Sequence, residues 1–222
     1  HKTEMKSTEV KPADGKLGVL CVGLGAVTTT FITGTLMVRK GLSKPIGSMT
    51  QYDKIRVGRG KDKQYKHYGE IVPLANLNDI VFGAWDAYPQ NAYDAAINAE
   101  VLKEKDINPV KDELEKIVPM KAAFDHDYAK RIEGENIKKG ATRTFKEKNQ
   151  CSRIVVIWAA STEIYVPVYE PVHNTLAGLE EAIKNNDCEH IAPSMCYAYA
   201  ALEEGAPFIM GAPNTTVDIP AM

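Results

Sequence analysis

A glycine-rich turn at residues 23–28 is the first segment of this chain whose residue types and spacing could bind a ligand. It stands between an apolar run and a stretch with helical character, and it reads Gly23–Leu24–Gly25–Ala26–Val27–Thr28. Glycines at such a turn let a dinucleotide pyrophosphate approach the backbone amides at a helix N-terminus. Thr28 replaces the third glycine of the usual fingerprint, so a tight turn without a cofactor is the competing interpretation.

An aspartate closes a second apolar run, Phe82–Gly83–Ala84–Trp85–Asp86, and Asn91 follows at the start of a helical stretch. Ligands of parallel sheets gather at the carboxyl ends of strands, so Asp86 is predicted to accept hydrogen bonds from a ribose or from an adenine amino group. Asn91 is predicted to lie at the same site. The alternative is that Asp86 caps the following helix. No acidic residue stands about 20 positions after the glycines, where the fingerprint would place a ribose ligand.

Small and hydroxyl-bearing residues follow a third apolar run, Val156–Ile157–Trp158. Ala160, Ser161 and Thr162 stand there, and a carboxylate, Glu163, comes next. Small side chains leave room for a cofactor, so Ala160, Ser161 and Thr162 are predicted to contact one. Ser161 and Thr162 are also a common N-cap pair, and the sequence leaves that second interpretation open.

A fourth segment carries Gly211 and Asn214 after a short apolar run that ends at Met210. The Ala and Leu residues before this run favour a packed helix, Gly205 favours a helix C-cap, and Phe208–Met210 favours a strand. The aromatic and Met residues of this region are equally consistent with plain core packing.

These segments need a fold that brings several strand ends together. Apolar runs alternate with helical stretches, which indicates an α/β, Rossmann-like, doubly wound and mostly parallel sheet. Residues 1–15 are predicted to be a flexible leader, and residues 16–222 one Rossmann-like domain. The predicted strands are Leu17–Val22, Glu70–Pro73 leading to Asp79–Trp85, Arg153–Ala160 and Pro207–Met210. The predicted helices are Ala26–Lys40, Asn91–Lys105, Pro109–Ile117, Thr175–Asn185 and Pro193–Glu204.

Two segments fit this alternation poorly. Ser43–His67 is polar and basic, and it is predicted to form an exposed excursion before a strand near Ile71. Gly134–Gln150 has few apolar positions, so the sequence predicts a loop, or a break in the chain between Gly140 and Phe145, rather than a crossover helix.

Composition excludes several classes of protein. The 27 basic and 29 acidic residues nearly balance, and no basic stripe with interleaved aromatics occurs, so no nucleic-acid partner is predicted. The apolar runs fall short of the roughly 20 residues that cross a bilayer, and the polar start lacks a secretory signal. We therefore predict no membrane partner and a cytoplasmic location. The four cysteines show no CxxC spacing and the five histidines no HExxH pair, so no metal is predicted.

Taken in order from Lys16 to the end of the chain, these segments resemble the inositol-1-phosphate synthase family. Phe82–Asp86 resembles the family's GGWDI element, Ile157–Glu163 is similar to its LWTANTE element, and Pro207–Thr215 is similar to its PYINGSPQNT element. The family's glycine loop often reads GxGGNNG, whereas Gly25 is followed here by Ala26, Val27 and Thr28. The resemblance therefore implies a divergent member of prokaryotic type.

The resemblance implies an isomerase that uses NAD to convert D-glucose 6-phosphate to 1D-myo-inositol 3-phosphate. Hydride leaves C5 of the sugar to NAD, a proton is lost from C6, the enolate attacks the C1 aldehyde, and the hydride returns. The resemblance further implies a homotetramer that serves inositol and phospholipid biosynthesis. In the family a lysine-rich catalytic segment lies beyond the last position of this chain. The chain is therefore expected to be incomplete at its C-terminus, and its catalytic residues are unknown. The resemblance also implies that Gly211 contacts the cofactor and that Asn214 and Thr215 approach the nicotinamide or the sugar. An Asn214→Ala change in a complete enzyme is expected to lower turnover by more than about tenfold, or about 1.4 kcal/mol.

Two other functions remain compatible with the same residues. An NAD-binding regulatory or sensing domain would use the fold without turnover. An NAD-dependent dehydrogenase would reduce NAD in step with substrate oxidation, whereas the isomerase leaves no net reduced cofactor.

Overall fold

Five strands form one parallel sheet in the computed structural model of the chain, which describes residues 10–12, 14–122 and 142–222. The strands are β1 (Lys16–Val22), β2 (Lys54–Val57), β3 (Gln64–His67), β4 (Ile80–Asp86), β5 (Met120–Lys121), β6 (Cys151–Trp158) and β7 (Phe208–Met210). The α-helices are α1 (Ala26–Arg39), α2 (Met49–Tyr52), α3 (Ala92–Ala99), α4 (Glu104–Ile107), α5 (Lys111–Glu115), α6 (Thr142–Lys148), α7 (Glu170–His173), α8 (Leu176–Lys184) and α9 (Pro193–Glu203).

The sheet has the strand order β5-β4-β1-β6-β7, and each neighbouring pair is parallel. Its strands, taken in chain order, therefore run 3-2-1-4-5, and the order reverses between β1 and β6. This is the arrangement of a doubly wound α/β fold, in which ligands bind beyond the carboxyl ends of the strands at the reversal. The predicted fold class is confirmed.

Alternate residues of the strands face the two sides of the sheet, and each side is buried under helices. Val19 and Cys21 of β1 lie in the core that also contains Ile32 of α1 and Leu114 of α5. Leu20 and Val22 point the other way, into the core that contains Tyr197 and Ala201 of α9. Burial on both sides explains why β1 reads as one continuous apolar run.

The register brings the last residues of the central strands to one level. Val22 at the end of β1 pairs with Trp85 of β4 and with Trp158 of β6. The first amides after the strands extend this ladder, because Gly23 donates to the carbonyl of Trp85 and Ala159 donates to the carbonyl of Val22, at 2.8 and 2.9 Å. The turns that follow β1, β4 and β6 therefore start side by side.

The predicted strand at Glu70–Pro73 is wrong. Tyr68–Glu70 forms a short 3₁₀ helix instead, and the Glu70 carboxylate accepts a hydrogen bond from the backbone amide of His67 at 2.6 Å. Ile71 and Val72 are about half exposed. Their apolar character alone did not place them in the sheet, because local capping bonds hold the backbone in a helical turn.

Two of the predicted helices are broken. Asn91–Lys105 divides into α3 and α4, because Glu100 adopts the left-handed conformation with φ 54° and ends α3. Pro109–Ile117 becomes a 3₁₀ turn, Asn108–Val110, followed by the short α5. The other predicted helices keep their positions within two residues.

The predicted loop at Gly134–Gln150 is wrong for its second part, which contains α6. An aromatic residue, Phe145, packs this helix on the sheet beside Gly18 of β1 and against Gly83 of β4, where a Cβ would overlap its ring at 2.4 Å. One partly buried ring on a helix of otherwise polar sequence gives almost no periodic signal. Residues 123–141, which include one end of the predicted break, lie outside the described residues, as do residues 1–9 and 13 of the predicted leader.

The polar segment after α1 forms the predicted excursion. It holds α2 and an antiparallel hairpin of β2 and β3, in which Lys54 pairs with His67 and Val57 with Gln64. The side chains of both strands are exposed apart from that of Lys66. The excursion lengthens the connection between β1 and β4 without adding to the main sheet.

Candidate dinucleotide site

A crevice of about 590 Å³ opens at the carboxyl ends of the central strands. Its wall is formed by the turns that follow β1, β4 and β6 and by one side of α3. The lining residues include Gly23, Gly25, Ala26, Val27, Asp86, Asn98, Ala160 and Ser161. The crevice therefore joins three of the four predicted site segments at the reversal of strand order, where dinucleotides bind in doubly wound sheets.

Gly23 makes the first turn possible. Its φ of +96° lies in the region that L side chains rarely adopt, and a Cβ built there would meet the backbone of Ala160 at 2.8 Å. The turn after β1 thus lies directly against the turn after β6. Only glycine satisfies both the dihedral angle and the close approach.

Gly25 and the start of α1 present backbone to the crevice. Gly25 is the N-cap of α1, and a Cβ placed on it would have no atom within 4 Å. Among the described residues, no side chain caps this helix. The first amides of an α-helix have no intrahelical acceptors, so the N-terminus of α1 offers donors and a partial positive charge to a phosphate.

Thr28 occupies the position of the missing third glycine. Its side chain is fully buried, and its hydroxyl donates to the carbonyl of Gly23 at 2.7 Å. Thr29 donates in the same way to the carbonyl of Gly25 at 2.9 Å. The two hydroxyls face the turn from inside the protein, so Thr28 replaces glycine by filling the gap between helix and strand rather than by facing the crevice.

Asp86 is bound to the glycine turn. Its carboxylate accepts from the amide of Leu24 at 2.6 Å and from the amide of Tyr88 at 2.9 Å. Leu24 is 62 residues away in the chain, so only the parallel pairing of β1 and β4 brings the two residues together. Asp86 ends the second strand of the sheet, which is where the ribose-binding carboxylate of a Rossmann fold stands.

Asn91, not Asp86, caps α3. The side-chain oxygen of Asn91 accepts from the amide of Asp94 at 2.9 Å, and its side-chain nitrogen donates to the Asp94 carboxylate at 3.1 Å. Asn91 is not among the residues that line the crevice. A cofactor role for Asn91 stays a prediction that this geometry does not favour.

Ala160 and Ser161 form the wall of the crevice on the β6 side. The N-cap interpretation of Ser161 and Thr162 is wrong, because residues 159–169 contain no helix and α7 begins only at Glu170. Thr162 is exposed and is not among the lining residues. Its contact with a cofactor stays a prediction.

Gly211 and Asn214 lie beside the crevice rather than in its wall. The amide of Gly211 donates to the carbonyl of Trp158 at 3.0 Å, and a Cβ there would meet that same oxygen at 2.3 Å. Both polar atoms of the Asn214 side chain bond to the backbone of Glu163. These two residues tie the turn after β7 to β6 and the segment that follows it.

Glu163 is the residue whose position the sequence did not reveal. It is only 7% exposed, and its carboxylate accepts from the amide of Ser194 at 2.9 Å, at the start of α9. Burial raises the pKa of Glu163 above its ordinary value, although hydrogen bonds from Ser194 oppose the shift. A Ser-Thr-Glu sequence after a strand gives no sign of such burial, because the partner lies 31 residues further on.

A second cavity of about 550 Å³ lies at the amino ends of the strands and includes Leu17, Lys146, Arg153 and Gly205. Leu17 stands near the beginning of β1, away from the strand reversal at which dinucleotides bind. In the described part of the chain, no cluster of His, Cys, Asp and Glu could hold a metal ion. None of the helices among the described residues is long and apolar enough to span a bilayer.

Comparison with known proteins gives one consistent result. Residues 17–222 match a family model of NAD-binding domains described as myo-inositol-1-phosphate synthase. An inositol-3-phosphate synthase of Bacteroides thetaiotaomicron is 59% identical over 96% of this chain and 52% of that protein. An isozyme of Arabidopsis thaliana is 34% identical over 90% of this chain and 44% of that protein. The chain thus spans about half the length of the curated relatives it matches.

Solved structures agree with these sequence matches. The crystal structure of inositol-3-phosphate synthase from Caenorhabditis elegans superposes with a TM-score of 0.82 and 26% identity, covering 95% of this chain and 46% of that one. A related protein from Thermotoga maritima, with a TM-score of 0.53 and 20% identity, supports the fold alone. Together with the strand order and the crevice, these matches show that the chain belongs to the inositol-1-phosphate synthase family and comprises its NAD-binding domain.

Proposed function

We propose that this chain binds NAD in the crevice as part of an isomerase that converts D-glucose 6-phosphate to 1D-myo-inositol 3-phosphate. The observation that carries the proposal is the glycine turn: Gly23 packs on Ala160, and Gly25 opens the uncapped N-terminus of α1 toward the crevice. When bound, NAD would supply the reversible hydride acceptor that this family's chemistry needs. The residues of the crevice bind and orient the cofactor.

The pyrophosphate is assigned to the N-terminus of α1. The backbone amides of Ala26 and Val27 stand at the first turn, both residues line the crevice, and Gly25 leaves the approach open. Helix N-termini favour anions through free amide donors and the helix dipole. The side chain of Thr28 takes no part in binding, because it is buried and bonded to Gly23.

The adenosine ribose is assigned to Asp86. Its two oxygens already accept from backbone amides, which fixes the orientation of the carboxylate at the end of β4. A carboxylate oxygen can accept more than one hydrogen bond, so ribose hydroxyls remain suitable donors. A fixed carboxylate here favours NAD over NADP, whose 2′-phosphate would meet a negative charge.

The substrate, the oligomeric state, the location and the metabolic role that follow are proposed for the whole protein. The family relationship supports glucose 6-phosphate as the substrate, a homotetramer as the assembly, a cytoplasmic location, and a role in inositol and phospholipid biosynthesis. Ala160 and Ser161, on the far wall of the crevice, are assigned to the part of the cofactor nearest the sugar.

Cofactor binding can be followed by intrinsic fluorescence. The chain has two tryptophans, Trp85 and Trp158, and both line the crevice. Titration of the 222-residue chain with NAD should change their emission in a saturable way. NADP should bind at least about tenfold more weakly, a difference of about 1.4 kcal/mol. Equal affinity for NAD and NADP would remove Asp86 from the ribose site, and the absence of saturable binding would overturn the proposal.

Turnover separates the isomerase from the other two functions. Glucose 6-phosphate and NAD should yield inositol phosphate, detected as released inositol after phosphatase treatment, with no lasting absorbance of reduced nicotinamide. A full-length protein with this domain should be used, since the chain spans half of its curated relatives. Net reduction of NAD would identify a dehydrogenase, and binding without any product would identify a sensing domain.

A further inference from the structure

The segment after β6 is held from two sides by residues that belong to other elements. Residues 159–169 connect β6 to α7 without regular secondary structure, and they begin with Ala160 and Ser161 of the crevice wall. Glu163 follows two residues later and is nearly fully buried. A buried acid in an irregular connection needs a structural reason, because the carboxylate loses its hydration there.

The first partner of Glu163 is the start of α9. Its Oε1 accepts from the amide of Ser194, one residue after Pro193 opens the helix, and Ala192 at the N-cap provides no side-chain bond. Glu163 thus caps a helix of 11 residues from a distant part of the chain. Its Oε2 is buried and has no hydrogen-bond partner among the described residues, so the carboxylate is held through Oε1.

The second partner is the turn after β7. The Oδ1 atom of Asn214 accepts from the amide of Glu163 at 3.1 Å, and its Nδ2 atom donates to the carbonyl of Glu163 at 3.0 Å. A hydroxyl pair, Ser194 and Thr216, closes the connection between α9 and the β7 turn at 2.7 Å and is fully buried. We name the four residues Glu163, Ser194, Asn214 and Thr216 the clasp.

We propose that the clasp positions the segment 159–169 so that Ala160 and Ser161 form the wall of the NAD crevice. Ala160 has no freedom to shift toward β1, because it already lies against Gly23. It can only move away, and the clasp prevents that movement by fixing the backbone at Glu163. Glu163 and Asn214 are therefore positioning residues, which act on the cofactor through Ala160 and Ser161. This inference rests on the proposed function of the crevice.

The test uses the 222-residue chain and four variants. Glu163→Ala and Asn214→Asp break the two halves of the clasp, and Glu163→Gln keeps an oxygen that can accept from Ser194. Glu181→Ala, which removes an exposed glutamate of α8, is the matched control. For each protein we would measure the dissociation constant of NAD, the thermal midpoint, and hydrogen exchange of peptides from residues 159–169 and 211–218 without ligand.

The clasp predicts a specific combination of results. Glu163→Ala and Asn214→Asp should raise the dissociation constant of NAD at least about tenfold at temperatures where both remain folded. In both variants hydrogen exchange should accelerate in the peptides from residues 159–169 and 211–218, but not in peptides from β1 and α1. The dissociation constant of NAD for Glu163→Gln should lie within about threefold of that for the original chain. Glu181→Ala should change none of these quantities.

Other results would overturn the inference or the function separately. A Glu163→Ala protein that binds NAD normally, with unchanged exchange in both peptides, would overturn the clasp. If Glu163→Ala does not fold, Asn214→Asp alone decides between the two outcomes by the same measurements. If the original chain fails to bind NAD, the proposed function fails, whereas exchange in the two peptides still shows whether the clasp holds the segment.

Discussion

At the scale of single residues, the crevice depends on glycines with different tasks. Gly23 has a positive φ and lies against Ala160, whereas Gly25 has φ −97° and faces open space. We expect Gly23 to be needed for folding, and Gly25 for the approach of a pyrophosphate to the N-terminus of α1. The sequence fingerprint requires glycine at both positions. Their roles differ because β6 lies beside β1, which brings Ala160 against Gly23 only.

Substitution of each glycine by alanine should separate the two tasks. Gly23→Ala should lower the free energy of unfolding by about 3 kcal/mol or more, through backbone strain and overlap with Ala160. Gly25→Ala should change it by less than about 1 kcal/mol but weaken NAD binding about tenfold, since the methyl group stands in the path of the pyrophosphate. Urea denaturation and fluorescence titration measure the two effects. Equal losses of stability would contradict this assignment.

The thiol of Cys21 should be chemically inert in the folded protein. Cys21 is fully buried beneath the glycine turn, and burial raises its pKa to about 12, although a hydrogen bond with Thr28 opposes the shift. The thiolate is the reactive form, so iodoacetamide at mildly alkaline pH should modify exposed Cys188 and leave Cys21 intact until the chain is unfolded. Mass spectrometry of peptides measures both reactions, and rapid native labelling of Cys21 would refute the expectation.

At the scale of elements, patterns with their own local signals were predicted well. The helix at Ala26–Arg39 follows a glycine turn, and α9 starts at Pro193 and ends before Gly205 with its φ of +71°. The failures have two causes, which are contacts with distant parts of the chain and local turns that interrupt a pattern. Phe145 holds α6 to the sheet, and the apolar residues Ile71 and Val72 found no strand partner.

The hairpin of β2 and β3 should be dispensable for the fold. Lys54 and His67 are paired, so two glycines can replace Ile55–Lys66 without moving the ends of the excursion. Because nearly all its side chains are exposed, removal should change the free energy of unfolding by less than about 1 kcal/mol. NAD affinity should stay within about twofold. Circular dichroism and titration test this, and loss of folding would show that the hairpin supports the sheet.

The burial of Glu163 beside α9 should make the stability of the chain depend on pH. The folded-state pKa is raised, so the folded chain holds the proton to higher pH than the unfolded chain, and stability falls as pH rises above the ordinary value of 4.5. Glu163→Gln removes this dependence. The unfolding free energy of the original chain minus that of the variant should therefore decrease with pH, by at most about 1.4 kcal/mol per pH unit.

Urea titrations at a series of pH values measure that difference. Glu181→Gln serves as the control, because its side chain is exposed on α8. A difference between the original chain and Glu163→Gln that stays constant with pH would show that the carboxylate ionises as freely in the folded chain as in the unfolded one.

At the scale of the whole molecule, the crevice joins three turns from distant parts of the chain. A ligand that binds only the folded state stabilises all of them together. NAD at 100 times its dissociation constant should therefore raise the free energy of unfolding by about 2.7 kcal/mol. For a chain of this size the thermal midpoint should rise by about 5 to 10 °C, and adenosine alone should have a smaller effect. A midpoint insensitive to NAD would contradict binding at the crevice.

The sequence by itself determined the α/β class, the glycine turn with its helix, and the family, because these depend on hydrophobic periodicity, on backbone freedom at glycine and on short motifs. The tertiary structure decided which of the predicted residues meet. Asp86 reaches Leu24 across 62 positions and Asn214 reaches Glu163 across 51, because strand order, which no local pattern encodes, selects the neighbours. The long excursion also explains why no acidic residue stands about 20 positions after the glycines, since it moves Asp86, at the end of the second strand of the sheet, further along the sequence.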